Sequence, residues 1–242
     1  MTRLILNCES PTSALNSLTD ILGVTAATLI DRMQSTEIGA DDLTDDVEQT
    51  LVAQFLADTY IPKFLVLWFH GTRLHRNHTL MTEGLLPAHR MEPRLRYCLQ
   101  SLSEGIERRG CSRFASSKTW KPSHEGPFAM LCRTAVAVPS GVNGSYIFRP
   151  ELVDDIAGEL LGENFRALTD RFAQQSNPSI IHFLGSPTAV VLQRALRYVY
   201  ETLIEGRDDI ESATSSNACF DGGGIPVPPE RILKIEILSQ AV

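Results

Sequence analysis

The chain has 242 residues, 43% of them hydrophobic, which is enough apolar material for one large globular domain or a domain with an appendage. A formal net charge of −7 and a pI near 5.4 exclude a general electrostatic attraction to phosphate backbones or anionic membranes, although Arg and Lys cluster locally between Arg90 and Lys121. The five cysteines, at 8, 98, 111, 132 and 219, have neither paired spacing nor an even count, so they read as reduced thiols rather than a disulfide framework, and they form no zinc pattern.

Residues 1 to 20 place Asn7, Glu9 and Pro11 where a signal peptide needs an apolar run, and nowhere are there 18 consecutive apolar residues. The expectation is a bacterial cytosolic protein, or an effector exported without a cleaved signal, with no membrane contact. The first 62 residues read as helical. Leu15, Leu18 and Leu22, then Leu29, Ile30 and Met33, keep helical spacing across a break at Gly23. A further helix sets Leu43, Val47, Leu51 and Phe55 four apart, with Asp41, Asp42, Asp45 and Asp46 at the end its dipole favours. Pro62 closes this segment, which is expected to pack as a scaffold on a main domain covering 63–242.

Six apolar residues, Phe64 to Phe69, then run into His70-Gly71-Thr72. The imidazole of His70 can donate or accept, Gly71 lets a planar group lie on bare backbone, and Thr72 adds a hydroxyl. These are parts that a nicotinamide carboxamide and its ribose use; the bland alternative is that His70 ends a core strand. The following segment reads as a helix stopped at Gly84 and Pro87, with Leu80 and Met81 against the sheet. His70, His75 and His78 have no carboxylate at ligand spacing, so no metal site is expected. Leu95, Cys98, Leu99, Leu102 and Ile106 then repeat at helical spacing among Arg90, Arg94, Arg96, Arg108 and Arg109.

Beyond the short stretch Gly110 to Lys118, residues 126–138 read as a strand, 139–144 as a turn and Tyr146 to Phe148 as a brief extended piece. Pro150 opens one helix over Glu151 to Phe172; Ser179 to Leu184 is a buried strand, Thr188 to Leu203 a helix, and 206–217 a polar loop. Gly222 to Gly224 reads as a hinge, Ile225 to Arg231 as an extended turn, and Ile232 to Leu238 as a half-exposed strand.

Three features together resemble the ADP-ribosyltransferase superfamily: a strand ending in His70-Gly71-Thr72, a helix finishing in Glu83-Gly84-Leu85-Leu86-Pro87, and a terminal Val227-Pro228-Pro229-Glu230-Arg231-Ile232-Leu233 strand. That superfamily includes poly(ADP-ribose) polymerases, toxins that modify DNA or RNA, and RNA 2′-phosphotransferases. The resemblance covers about 64 to 238. It implies that His70 holds the NAD ribose and Gly71 the nicotinamide amide, with Thr72 and Arg73 beside them. The usual Tyr-Phe-Ala-Ser motif has its nearest match at Arg113-Phe114-Ala115-Ser116, which places Phe114 and Ser116 against NAD and an arginine where a tyrosine stacks. Arg113 can clamp a pyrophosphate or a target phosphate, and Tyr146 is the fallback aromatic. The glutamate that the family sets before its final strand has only Asp221 near its position, which on its residue type alone reads more readily as a turn former before glycines than as a catalytic acid. Glu201 and Glu230 are weaker candidates.

The expected architecture is therefore α+β, a split mixed sheet with an ADP-ribosyltransferase-like core at 63–242 behind a helical segment at 1–62. The expected activity is NAD-dependent transfer of ADP-ribose to a macromolecule, protein or nucleic acid, by a bacterial toxin, effector or defence enzyme, with an antitoxin or chaperone as partner. The alternatives are an RNA 2′-phosphotransferase, favoured by the arginines and the missing glutamate but not by the acidic charge, and a catalytically silent NAD- or ADP-ribose-binding module.

Overall fold

The structure, a computed structural model, describes residues 3–35, 44–57, 59–111, 125–138 and 144–239. In chain order its elements are β1 (Leu4–Leu6), α1 (Pro11–Leu22), α2 (Ala26–Gln34), α3 (Thr44–Phe55), β2 (Phe64–His75), α4 (Leu80–Glu83), α5 (Ala88–Leu102), β3 (Phe128–Met130), α6 (Arg133–Ala137), α7 (Gly144–Phe148), α8 (Glu151–Leu161), α9 (Phe165–Gln174), β4 (Ser176–Gly185), α10 (Val191–Val199), a π-helical turn (Tyr200–Ile204), α11 (Asp209–Ser215), β5 (Cys219–Asp221), a 3-10 turn (Pro229–Arg231) and β6 (Ile232–Ile237). The fold is α+β. Its strands form one open mixed sheet in the order β5-β3-β2-β4-β6, with β1 joined to β2. Among the described residues no single helix is long and apolar enough to cross a membrane.

The chain divides into two compact units, the first comprising 1–69, 130–135 and 184–220, the second 70–129, 136–183 and 221–242. In the first, α1 and α3 pack on α10, and β1 runs parallel to the start of β2 from Leu4 opposite Phe64 to Leu6 opposite Val66. Val66, Leu67, Trp68 and Phe69 are all buried, as expected of an uninterrupted apolar run. Trp68 donates its indole N–H to the Ser186 carbonyl at 3.3 Å, and its ring lies 5.5 Å from that of Phe220. In the second unit, α5, α8 and α9 bury Leu99, Val153, Ile156, Leu161, Leu168 and Phe172 against one another. Leu99 is fully enclosed, so Leu99→Ala is expected to cost about 3 kcal/mol of stability, measurable as a lower midpoint in chemical denaturation.

Several segments differ from the sequence expectation, each for a local reason. Leu4–Leu6 is a strand within a stretch that reads as helical; three residues are too few to show a period. β2 continues past His70 to His75. The strand expected over 126–138 is only Phe128–Met130, because the side-chain oxygen of Asn217 accepts the Leu131 and Cys132 N–H groups and the chain then turns into α6. Tyr146 to Phe148 lies in helix α7 rather than in an extended piece. The single helix expected from Glu151 is two, broken where Gly162 adopts φ +62° with its Cβ position 2.2 Å from the Arg109 carbonyl oxygen. The polar loop at 206–217 contains α11, started by the Asp208 carboxylate, which accepts from the Ile210 and Glu211 N–H groups.

Candidate functional site

Four consecutive main-chain carbonyls, Glu125 to Phe128, each accept a hydrogen bond from a segment distant in sequence, two of them from the same glycine run. Glu125 accepts from Ala88 N–H at 2.9 Å, Gly126 from Gly224 N–H at 2.8 Å and Pro127 from Gly222 N–H at 3.0 Å. The Phe128 carbonyl accepts from His70 Nδ1 at 2.5 Å. His70, the helix that follows the Glu-Gly-Leu-Leu-Pro motif, and the glycines that follow Asp221 are thus gathered on one short strip of the second unit.

The two motifs at the ends of the resembling region also meet. Leu85 and Val227 exchange both main-chain hydrogen bonds, at 2.8 and 3.0 Å, which joins Glu83-Gly84-Leu85-Leu86-Pro87 to Val227-Pro228-Pro229-Glu230-Arg231. Gly84 makes this approach feasible, with φ +79° and a Cβ position only 2.0 Å from the Val227 carbonyl oxygen. Glu83 is held by Arg94, whose Nη2 lies 2.6 Å from Oε1; this bond and one from Thr79 lower its pKa to about 2. It anchors α5 to the motif.

His70 is half-buried. Because a carbonyl can only accept, Nδ1 carries the proton and Nε2 the lone pair. Burial lowers the imidazole pKa, and the bond to Phe128 offsets that only in part, so the ring is neutral at pH 7. A histidine with a depressed folded pKa contributes stability above its unfolded value of 6.5, and this contribution is lost as pH falls through the folded value. Acidification from pH 7 toward 5 is therefore expected to lower the melting temperature more steeply in the wild type than in His70→Gln, as thermal melts across that range will read.

Gly71 points the other way along the strand, and a Cβ there would stand 2.7 Å from Val136 Cγ1 and 2.9 Å from Ile147 Cγ1. Its missing side chain is thus also a packing requirement. Thr72 is half-buried on the His70 face. Arg73 is tied to the α9–β4 junction, donating from Nε to Ser176 Oγ at 3.0 Å and from Nη2 to the Ala173 and Ser176 carbonyls at 2.8 and 2.9 Å. Asp221 is exposed, and its Oδ1 accepts from Gly223 N–H at 2.8 Å, forming an Asx turn into the glycine run. Tyr146 is partly exposed on α7, beside the Ile147 that covers Gly71. Arg113, Phe114 and Ser116 lie outside the described residues.

The sequence reading passed over three residues here. The Phe128 ring is 44% exposed and lies over Gly126, next to the carbonyl that holds the imidazole. Glu125 is paired with His89 Nδ1 through Oε2, and that oxygen is 3.1 Å from the Cβ position of Gly224. A second carboxylate therefore stands with Asp221 beside the glycines. No local pattern announces either pairing, since His89, Glu125 and Gly224 are far apart in the chain. Glu201, by contrast, is committed within the first unit: Oε1 accepts from Arg197 Nε at 2.6 Å and Oε2 from Ser215 Oγ at 2.5 Å, both away from solvent.

No protein-family model, no curated protein and no solved structure matches this chain.

Proposed function

We infer that the chain is an NAD-dependent ADP-ribosyltransferase that modifies a macromolecule. The observation that supports this reading best is the gathering of His70, the segment after Pro87 and the run after Asp221 on the carbonyls of residues 125–128, together with the Leu85–Val227 pairing. The residues present suit NAD chemically. A neutral imidazole with a lone pair on Nε2 accepts a ribose hydroxyl, and exposed rings at Phe128 and Tyr146 offer stacking surfaces. When bound, NAD supplies a glycosidic bond to nicotinamide whose cleavage develops positive charge on the ribose. In this reading Asp221 and Glu125 provide the negative field that such a transition state needs, and His70 fixes the orientation of the ribose.

The acidic net charge does not count against a nucleic-acid acceptor or an RNA phosphate. The second unit, which holds His70, Gly71, Thr72, Arg73, Tyr146 and Asp221, has fifteen Lys and Arg against fourteen Asp and Glu, whereas the first has seven against fifteen. Incubation of the protein with NAD labelled in the adenylate half, alongside protein, DNA and RNA acceptors, tests the proposal. Covalent label on an acceptor supports it, and release of a 2′-phosphate from RNA supports the phosphotransferase alternative. Binding without product supports a silent module, and absence of NAD binding removes the reading.

A further inference from the structure

β6 is an edge strand. Among the described residues it pairs on one side with β4 and on the other with nothing. The antiparallel register runs from Ser179 opposite Ile237 to His182 opposite Lys234, and Leu238 N–H bonds the Pro178 carbonyl at 2.9 Å. Antiparallel hydrogen-bonded pairs alternate along a ladder, so Lys234, Glu236 and Leu238 turn their main-chain groups toward β4 while Ile235 and Ile237 turn theirs to the free edge. The register shifts at Phe183, opposite Ile232, leaving Leu233 as the bulged residue and the straight edge to 234–238. Leu233 is 56% and Ile237 64% exposed, an apolar face that water does not favour.

We propose that a second copy of this chain covers that edge, two β6 strands pairing antiparallel about a two-fold axis through Ile235. Parity limits the registers, because outward-facing residues must meet outward-facing residues. Centring on Lys234 sets two lysines opposite each other, and centring on Glu236 sets two glutamates opposite each other. Centring on Ile235 instead places each Lys234 across from the partner copy's Glu236 in the closer, non-hydrogen-bonded positions, and each exposed Leu233 near an exposed Ile237. A lysine and a bulge usually keep an edge unpaired. Here the lysine meets a carboxylate of opposite charge, whose Oε2 also lies 2.9 Å from His182 Nε2 and 4.0 Å from Lys234 Nζ of its own chain, and the central residues of the pairing lie clear of the bulge. The symmetry is isologous, so the contact closes at two copies.

The test is light scattering and sedimentation of the full chain over a wide concentration range. A dimer is expected, and Ile235→Pro, which removes only an outward N–H and leaves the β4 ladder intact, is expected to raise its dissociation constant at least tenfold with the circular dichroism unchanged. Lys234→Glu, which changes one exposed side chain and faces four glutamates with one another in the pair, is expected to do the same, and it decides the matter where Ile235→Pro fails to fold. A wild-type chain that stays monomeric up to high micromolar concentration overturns the proposal, and so does a dimer that Lys234→Glu leaves unaltered.

Discussion

Replacing His70 by alanine is expected to lower transfer of label from NAD by about a hundredfold to a thousandfold, the scale seen when one preorganised polar contact to a reacting centre is removed. The fold is expected to survive. The imidazole makes one main-chain hydrogen bond, to Phe128, and losing such a bond costs about 1 kcal/mol, or roughly 2–4 °C in a chain of this size. The measurement pairs the labelling assay with a thermal melt and circular dichroism. A variant that transfers label at the wild-type rate takes His70 out of the proposed chemistry, whereas loss of both activity and native spectrum assigns it to the core.

The second large effect concerns Gly84. Alanine there would put a methyl group 2.0 Å from the Val227 carbonyl oxygen at φ +79°, and the obstacle is main chain, which cannot rotate aside. Gly84→Ala is expected to cost about 3–5 kcal/mol and to separate the two motifs that Leu85 and Val227 join. Gly223→Ala is the comparator. Its φ is +58° with nothing within 4 Å, so only conformational strain of about 1 kcal/mol applies. Denaturant titration of both variants separates collision from strain; equal losses would mean that the close approach at Gly84 carries no special weight.

Much of the framework was legible where the sequence repeats a period or changes character abruptly. The apolar run into His70, the leucine spacing of α1 and α5 and the alternation of β6 all produce the expected elements. What escaped were features set by partners remote in sequence. The length of β3 depends on the amide of Asn217, and the approach of His89 to Glu125 depends on α5 and the 125–128 strip coming together. Asp208 at the start of α11 was readable as a cap, but the polar composition around it favoured a loop reading. For the site, the two terminal motifs were found from resemblance and their meeting is visible at Leu85 and Val227. The strip that both approach has no motif at all.

Four peptide oxygens, which every amino acid supplies alike, tie that strip to its neighbours, while the Glu125–His89 pair and the positive φ of Gly126 bind it to particular residues. The carbonyl that holds the imidazole is therefore indifferent to the side chain at position 128, whereas position 126, at φ +64°, calls for glycine. The ring of Phe128 can accordingly be exchanged to probe its chemistry while the oxygen on which His70 rests stays in place.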